Sequence, residues 1–336
     1  MIDEATSDSN LSKEAACGWF GISRQAYYQS RKREIENAAQ DEMVVELVQG
    51  IRQWHPQMGG RKLYHELKHS MEALEIKRGR DKFFDLLREH DLPVPPKRNR
   101  RRTTFSGSWR RPNLLEDLTV ERVNQVWVGD ITYIATEQGF RYLALLTDAY
   151  SRYILGYDLS DSLAVEGCLR ALNQAIEQTD VSRLPGLIHH SDHGIQYMAN
   201  IYADRLSDAG ILASMGEVGN CYDNALAERM NGILKYEYNL NDLFVNDQDA
   251  EIAVQQAIYL YNYERPHLSL DYAKPAQIHF GMEHYPSFVS ESRAAFLTSN
   301  PQGLTLTALG QKCATLGLGD GTISILPSLT RPSPAF

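Results

Sequence analysis

The order of apolar runs between residues 126 and 263 constrains this chain more than any other feature. Residues 126–134, 142–148 and 153–159 are three short runs rich in β-branched and aromatic residues, separated by turn formers. They read as a meander of three strands. Helix and strand signals then alternate: a helix over 164–178, an apolar strand over 187–190, a helix over 201–209 and a strand over 211–215. Two longer helices follow. Connections this short make the first three strands antiparallel neighbours, whereas the later strands, each reached through a helix, join the sheet in parallel. The expectation is a mixed five-stranded α/β sheet with helices against it.

Three acidic residues fall at the edges of these elements. Asp130 lies in the first strand, in Trp127-Val-Gly-Asp-Ile-Thr-Tyr-Ile134. Asp192 follows the fourth, in His189-His-Ser-Asp-His-Gly-Ile-Gln-Tyr197. Glu228 lies in Asn220-Cys-Tyr-Asp-Asn-Ala-Leu-Ala-Glu-Arg-Met-Asn231, and 35 residues separate it from Asp192. Carboxylates gathered from distant stretches suit hard divalent cations, which prefer oxygen ligands. Phosphodiester chemistry by two metal ions needs such a site. On a helical wheel Asn224, Glu228, Asn231 and Lys235 share an arc of about 60°, and Leu226, Met230, Ile233 and Leu234 lie opposite. One face would pack while the other presents Glu228 and Lys235 together.

These stretches resemble the DDE transposases of bacterial insertion sequences, within them the family usually called IS-three, which shares its catalytic domain with retroviral integrases. Trp127 and Asp130-Ile-Thr-Tyr133 resemble its first strand. Tyr142-Leu143, Asp148, Ser151-Arg152 and Gly156 resemble its second and third. His190-Ser-Asp192-His-Gly-Ile-Gln-Tyr197 resembles the second catalytic segment, and Tyr222-Asp-Asn-Ala225, Glu228 and Lys235 the third. Tyr261-Asn262 with Arg265-Pro-His267 resembles the closing signature. The resemblance runs from about residue 37 to about residue 280. It implies a ribonuclease-H-like core and catalysis of DNA cleavage and strand transfer. It implies two Mg²⁺ or Mn²⁺ ions held by Asp130, Asp192 and Glu228, with Asp130 bridging both. It also implies insertion-sequence ends and target DNA as substrates, a homo-oligomer on DNA, and an upstream reading-frame product as fusion or partner. The rival readings are a stand-alone metal nuclease of the same fold and a non-catalytic DNA-binding regulator.

The formal charge of −9 is unevenly spread. Residues 1–115 hold 21 Lys/Arg and 16 Asp/Glu, and residues 116–336 hold 13 and 27. That asymmetry suggests a basic front that grips DNA and an acidic catalytic back, although the acidic half is also what solubility alone would ask for. Residues 11–33 read as helix, turn, helix. Ser23 is the expected N-cap of the second helix, which ends in Arg31-Lys-Arg33, a helix-turn-helix pattern. Residues 41–92 are helical again, interrupted at His55-Pro56 and Gly59-Gly60. They resemble the family's second helix-turn-helix module, except that Met58-Gly59-Gly60-Arg61 replaces an aromatic-glycine-aromatic-arginine pattern. Residues 97–111 carry seven Lys/Arg and no acid, a linker suited to tracking phosphates. The expected organisation is an N-terminal segment 1–36, a helical module 37–96, a basic linker 97–119, a catalytic core 120–280 and a tail 281–336 of no evident role.

Lys235, Arg61, Arg98, Arg100, Arg101, Arg102 and Arg265 are the expected DNA contacts. Asp148 reads as a turn former and Asp223 as a helix cap. His190 and His193 are open between orienting Asp192, touching DNA, and a packing or capping role, and His267 reads as structural. His65 and His69 stand four apart on a helix, but no further zinc ligand is evident, and a surface pair is the expectation. Cys17, Cys168, Cys221 and Cys313 form no Cys-x-x-Cys pair. No membrane span or signal peptide is evident, so the expected location is the bacterial cytoplasm, at the nucleoid.

Overall fold

A computed structural model of the chain describes residues 12–95, 112–116, 118–216 and 225–281. The chain divides into two compact units, Met1–Tyr285 and Pro286–Phe336, and every described residue belongs to the first. The tail expected from residue 281 lies, but for Gly281, outside the described residues, as do Arg98, Arg100, Arg101, Arg102, Cys221, Asp223, Asn224 and Cys313.

Helix α1 (Lys13–Trp19) is capped by Ser12, whose Oγ accepts from the Ala15 amide. Helix α2 (Arg24–Arg52) starts at the expected cap, with Ser23 Oγ accepting from the Ala26 amide at 3.1 Å. It does not end near Arg33. Residues 24–49 contain neither glycine nor proline, so nothing breaks the hydrogen-bond ladder, and a single helix of 29 residues runs through the expected boundary at 36/37. It stops just before His55-Pro56, where the proline ring disfavours helix in the preceding residue. Helices α3 (Gly60–Ala73) and α4 (Arg80–Glu89) complete a helical module. Val44, Val48, Met58, Leu63, Leu67, Met71, Phe83, Leu86 and Leu87 form its core.

The sheet comprises β1 (Val126–Thr136), β2 (Gly139–Asp148), β3 (Ile154–Ser160), β4 (Ile188–Ser191) and β5 (Leu212–Met215), in the order β3-β2-β1-β4-β5. β1 pairs antiparallel with β2, and β2 with β3. β1 pairs parallel with β4, and β4 with β5. Both faces are covered, so Leu143, Ala144, Leu145 and Leu146 are buried as a continuous run instead of alternating with solvent. On one face, α5 (Val165–Glu177), α6 (Ile195–Met198) and α7 (Asn200–Asp208) bury Trp127, Ala144, Leu146, Leu155, Leu172, Tyr197 and Tyr202. On the other, α8 (Ala225–Glu237) and α9 (Asp247–Tyr263) bury Ile134, Leu143, Leu145, Ile154, Met230, Leu234 and Tyr261. Gly156 is required where β3 meets α5: a Cβ there would stand 2.0 Å from the Ala171 carbonyl oxygen. A short helix, α10 (Pro275–Phe280), closes the unit. This is the mixed ribonuclease-H-like sheet that the pattern of runs implies.

Candidate active site

Sheet topology brings the first two carboxylates together. β1 and β4 run parallel with Gly129 opposite Ser191, so the next residue on each path is Asp130 on one and Asp192 on the other. Adjacent strands lie about 5 Å apart, which places Asp130, in the middle of β1, beside Asp192, just past the carboxyl end of β4. The Asp130 Oδ1 accepts from the Ile131 amide at 2.9 Å, and its Oδ2 accepts from Asn231 Nδ2 on α8 at 2.6 Å. The Asp192 Oδ1 accepts from the Gly194 amide at 2.9 Å.

Glu228 lies exposed in the first turn of α8. Helix α8 packs through Met230, Ile233 and Leu234, the face the wheel assigned to packing. Burial, then the Asp192 carboxylate, then Glu228 push the Asp130 carboxyl up from its ordinary range to about 7, against the two hydrogen bonds it accepts. Burial also raises Asp192, opposed by the Gly194 amide and by His193. Burial lowers Lys235, and the Asp130 charge opposes that fall, so this lysine lies within the field of the same carboxylate. Two further acids thus act on the buried oxygen pair of Asp130, and Lys235 lies within its field.

The donor set fits hard divalent cations. The ligands are carboxylates, and the crowding of like charge that raises Asp130 is what a cation would relieve. Among the described residues, no three His, Cys, Asp or Glu side chains stand close enough together to hold an ion. Asp130 and Asp192 are neighbours, whereas Glu228 enters their field from the exposed start of α8, directly after residues 217–224, which lie outside the described set.

Other expected residues divide clearly. Arg61 is exposed at the start of α3, and Lys235 is half-buried. Arg265, expected at a phosphate, is instead buried at 4% exposure. Its Nε and one terminal nitrogen donate to both Glu237 oxygens at 2.8 and 2.9 Å, and its cation lies 5.5 Å from the Tyr261 ring centre. The Glu237 carboxylate offsets the cost of burying this cation. His190 Nδ1 pairs with Ser214 Oγ at 2.9 Å, and His193 Nε2 donates to the Gly216 carbonyl at 2.5 Å. Burial and surrounding arginines push His267 down to about 3, so it is neutral and structural. Asp148 is a turn former, fully buried and accepting from the Asn124, Tyr150 and Ser151 amides and from Ser151 Oγ. His65 stacks on Tyr272 at 4.3 Å while His69 approaches Glu72, so the two do not converge. Asn231 has no role assigned from the sequence beyond its place on the polar arc with Glu228 and Lys235, and that shared arc is the signal that could have found it.

A five-stranded mixed sheet with acids on β1, past β4 and on α8 defines an integrase-type core. Two family models, both described as integrase core domain, match residues 120–221 and 209–275. The chain is 36% identical over 268 residues to an uncharacterized 31 kDa protein of insertion element IS600 from Shigella sonnei, covering 77% of this chain and 96% of that one. It is 38% identical over 175 residues to the transposase for insertion sequence element IS629 from Shigella sonnei, covering 52% of this chain and 57% of that protein. It thus spans little more than half the length of several curated relatives it matches. The HTLV-2 integrase catalytic core domain, solved in complex with magnesium, is 21% identical. That match covers 47% of this chain and 97% of that one at a TM-score of 0.37, an overlap too partial to argue from. The chain belongs to the insertion-sequence transposases of the IS-three type. Among the described residues, no helix is long and apolar enough to cross a membrane.

Proposed function

We propose that this chain cleaves DNA at insertion-sequence ends and joins the freed 3′-hydroxyl to a target strand, with Asp130, Asp192 and Glu228 as the ligands of two Mg²⁺ or Mn²⁺ ions. The observation that carries this reading is geometric: the parallel pairing of β1 with β4 sets Asp130 beside Asp192, and Asn231 ties Asp130 to the helix whose first turn bears Glu228. Asp130 would serve both ions, and Asp192 and Glu228 would each help to hold one, as the resemblance implies. Bound divalent ions supply activation of the attacking oxygen and neutralisation of charge on the leaving one. The protein's own groups do the rest. Asn231 holds one Asp130 oxygen, which fixes the orientation of the other. Lys235, two turns beyond Glu228 and within the field of Asp130, holds a backbone phosphate as a point charge.

The helical module and the basic linker supply the grip on DNA, through Arg61 and through Arg98, Arg100, Arg101 and Arg102. Oligomerisation on the DNA ends and pairing with an upstream reading-frame product belong to the same reading, as does a location at the bacterial nucleoid. The test is cleavage and joining of end-containing DNA with Mg²⁺ or Mn²⁺. Asp130→Ala, Asp192→Ala and Glu228→Ala should each abolish both steps while DNA affinity persists. Near-normal turnover by any one removes that residue from the site. Cleavage without joining by the wild type would make the chain a nuclease of this fold.

A further inference from the structure

The helical module does not merely precede the core in sequence. Lys62, His65 and Glu66 occupy one face of α3, spaced three and four apart, while Leu63, Leu67 and Met71 face the module's own interior. The polar face meets the core. Lys62 Nζ donates to both Glu237 oxygens at 3.0 and 3.2 Å. His65 stacks on Tyr272, and Glu66 pairs with Lys274 at 3.7 Å. Beside them His55 Nδ1 pairs with the Tyr238 hydroxyl at 3.1 Å, and its Nε2 lies 3.6 Å from Glu264. Lys62 is a buried lysine, at 7% exposure, whose ammonium faces out of its own module and, among the described residues, is matched by a carboxylate of another element.

That carboxylate is the last residue of α8. Glu237 is gripped from two sides, by Lys62 and by Arg265. A second polar tether on α8 is Asn231, bonded to Asp130. Apolar packing of Met230, Ile233 and Leu234 fixes which face of α8 turns inward, but apolar contacts are non-directional and hold axial position weakly. Directional polar tethers such as these two hold it more firmly. Glu228 and Glu237 lie nine residues apart, about 13 Å along one helix. A displacement imposed at Glu237 is therefore carried to Glu228.

We propose that Lys62 is a positioning residue for the active site: through Glu237 it seats the helical module on the end of α8 and sets where that helix holds Glu228 against Asp130. This rests on the reading of Glu228 as a metal ligand. The helical module is then part of the catalytic apparatus as well as a DNA grip, and DNA drawn onto the module is registered to the carboxylates through one ion pair.

The experiment compares Lys62→Met, Lys62→Arg and, as a control on the exposed side of α3, Lys68→Met, all in the full chain. Lys62→Met keeps the aliphatic stem and leaves Glu237 paired with Arg265. Three readouts are taken: kcat and KM for cleavage of end-containing DNA, equilibrium DNA affinity without metal, and amide hydrogen exchange across 226–231. Lys62→Met should lower kcat by about tenfold to a hundredfold, as a misplacement of about 1 Å does, with KM and DNA affinity little changed. Exchange across 226–231 should accelerate. Lys62→Arg should restore most of the rate, and Lys68→Met should match the wild type.

Wild-type turnover and exchange in Lys62→Met would overturn the proposal. So would a loss confined to KM and DNA affinity, which would make the module a DNA grip alone. Should Lys62→Met fail to fold, His65→Ala loosens the same seat from its exposed edge. Unchanged kcat and unchanged exchange in that variant overturn the proposal too. If the wild type itself does not cleave, or Asp130→Ala cleaves like it, the active-site reading fails. Exchange across 226–231 then still decides the mechanical link: acceleration upholds it and no change refutes it.

Discussion

Replacing Glu237 with Gln removes a charge and almost no volume, so its effect isolates the ion pairs. Two buried cations, Lys62 and Arg265, converge on this carboxylate, and they push it down from its ordinary 4.5 to about 2 in spite of its burial. A folded-state value below the unfolded one stabilises the fold above the unfolded value, and that contribution is lost as pH falls through the folded value. The depression is worth about 3 kcal/mol at neutral pH, present above about pH 4.5 and gone near pH 2. Leaving buried cations uncompensated costs about 3–5 kcal/mol, the same order. Glu237→Gln should therefore unfold about 3 kcal/mol more easily than the wild type in denaturant titrations at pH 7. The gap should close as the titrations are repeated down to pH 2. Lys62 does not share that gain: burial and the neighbouring Arg265 push its ammonium below its ordinary value to about 8 in spite of Glu237, so below that pH its charge is held at a cost that Glu237 only partly offsets. A difference below about 1 kcal/mol at pH 7, or one that does not change with pH, would refute the reasoning.

Two further outcomes are expected. Asp148→Ala strands the Asn124 and Ser151 amides inside the core and should cost at least about 3 kcal/mol in thermal or denaturant unfolding. A variant as stable as the wild type would show that Asp148 does not organise its turn. Replacing Arg100, Arg101 and Arg102 with Ala should weaken binding to cognate and random DNA alike and flatten the log–log salt dependence by up to about 2.7. Loss of cognate binding alone would mean that the linker reads sequence.

The sheet was legible because its strands announce themselves through β-branched runs, and their separations leave few alternatives. The ends of β1, β3, β4 and α5 fall within one or two residues of the positions expected from the runs. The placement of Asp130 beside Asp192 was legible only through topology, since a parallel pairing across 62 residues leaves no local trace. The length of α2 was misread because a basic cluster at Arg31-Lys-Arg33 looks like a helix end, whereas only glycine, proline or a cap ends one. Arg265 was misread for a similar reason. A cation beside a helix-ending proline suggests phosphate, and its inward partner Glu237, 28 residues earlier, carries no signature. Lys62 next to the exposed Arg61 was equally silent, because the periodicity that separates them is set by the partner surface and not by α3 alone.

The central claim is that Asp130, Asp192 and Glu228 close around divalent ions. The most direct measurement is anomalous diffraction from crystals of the chain with end-containing DNA and Mn²⁺. Two anomalous peaks about 4 Å apart are expected, both touching Asp130, one also reaching Asp192 and the other Glu228. Manganese bound away from Asp130, or a Glu228 carboxylate that stays more than about 10 Å from the other two with DNA and metal present, would contradict it.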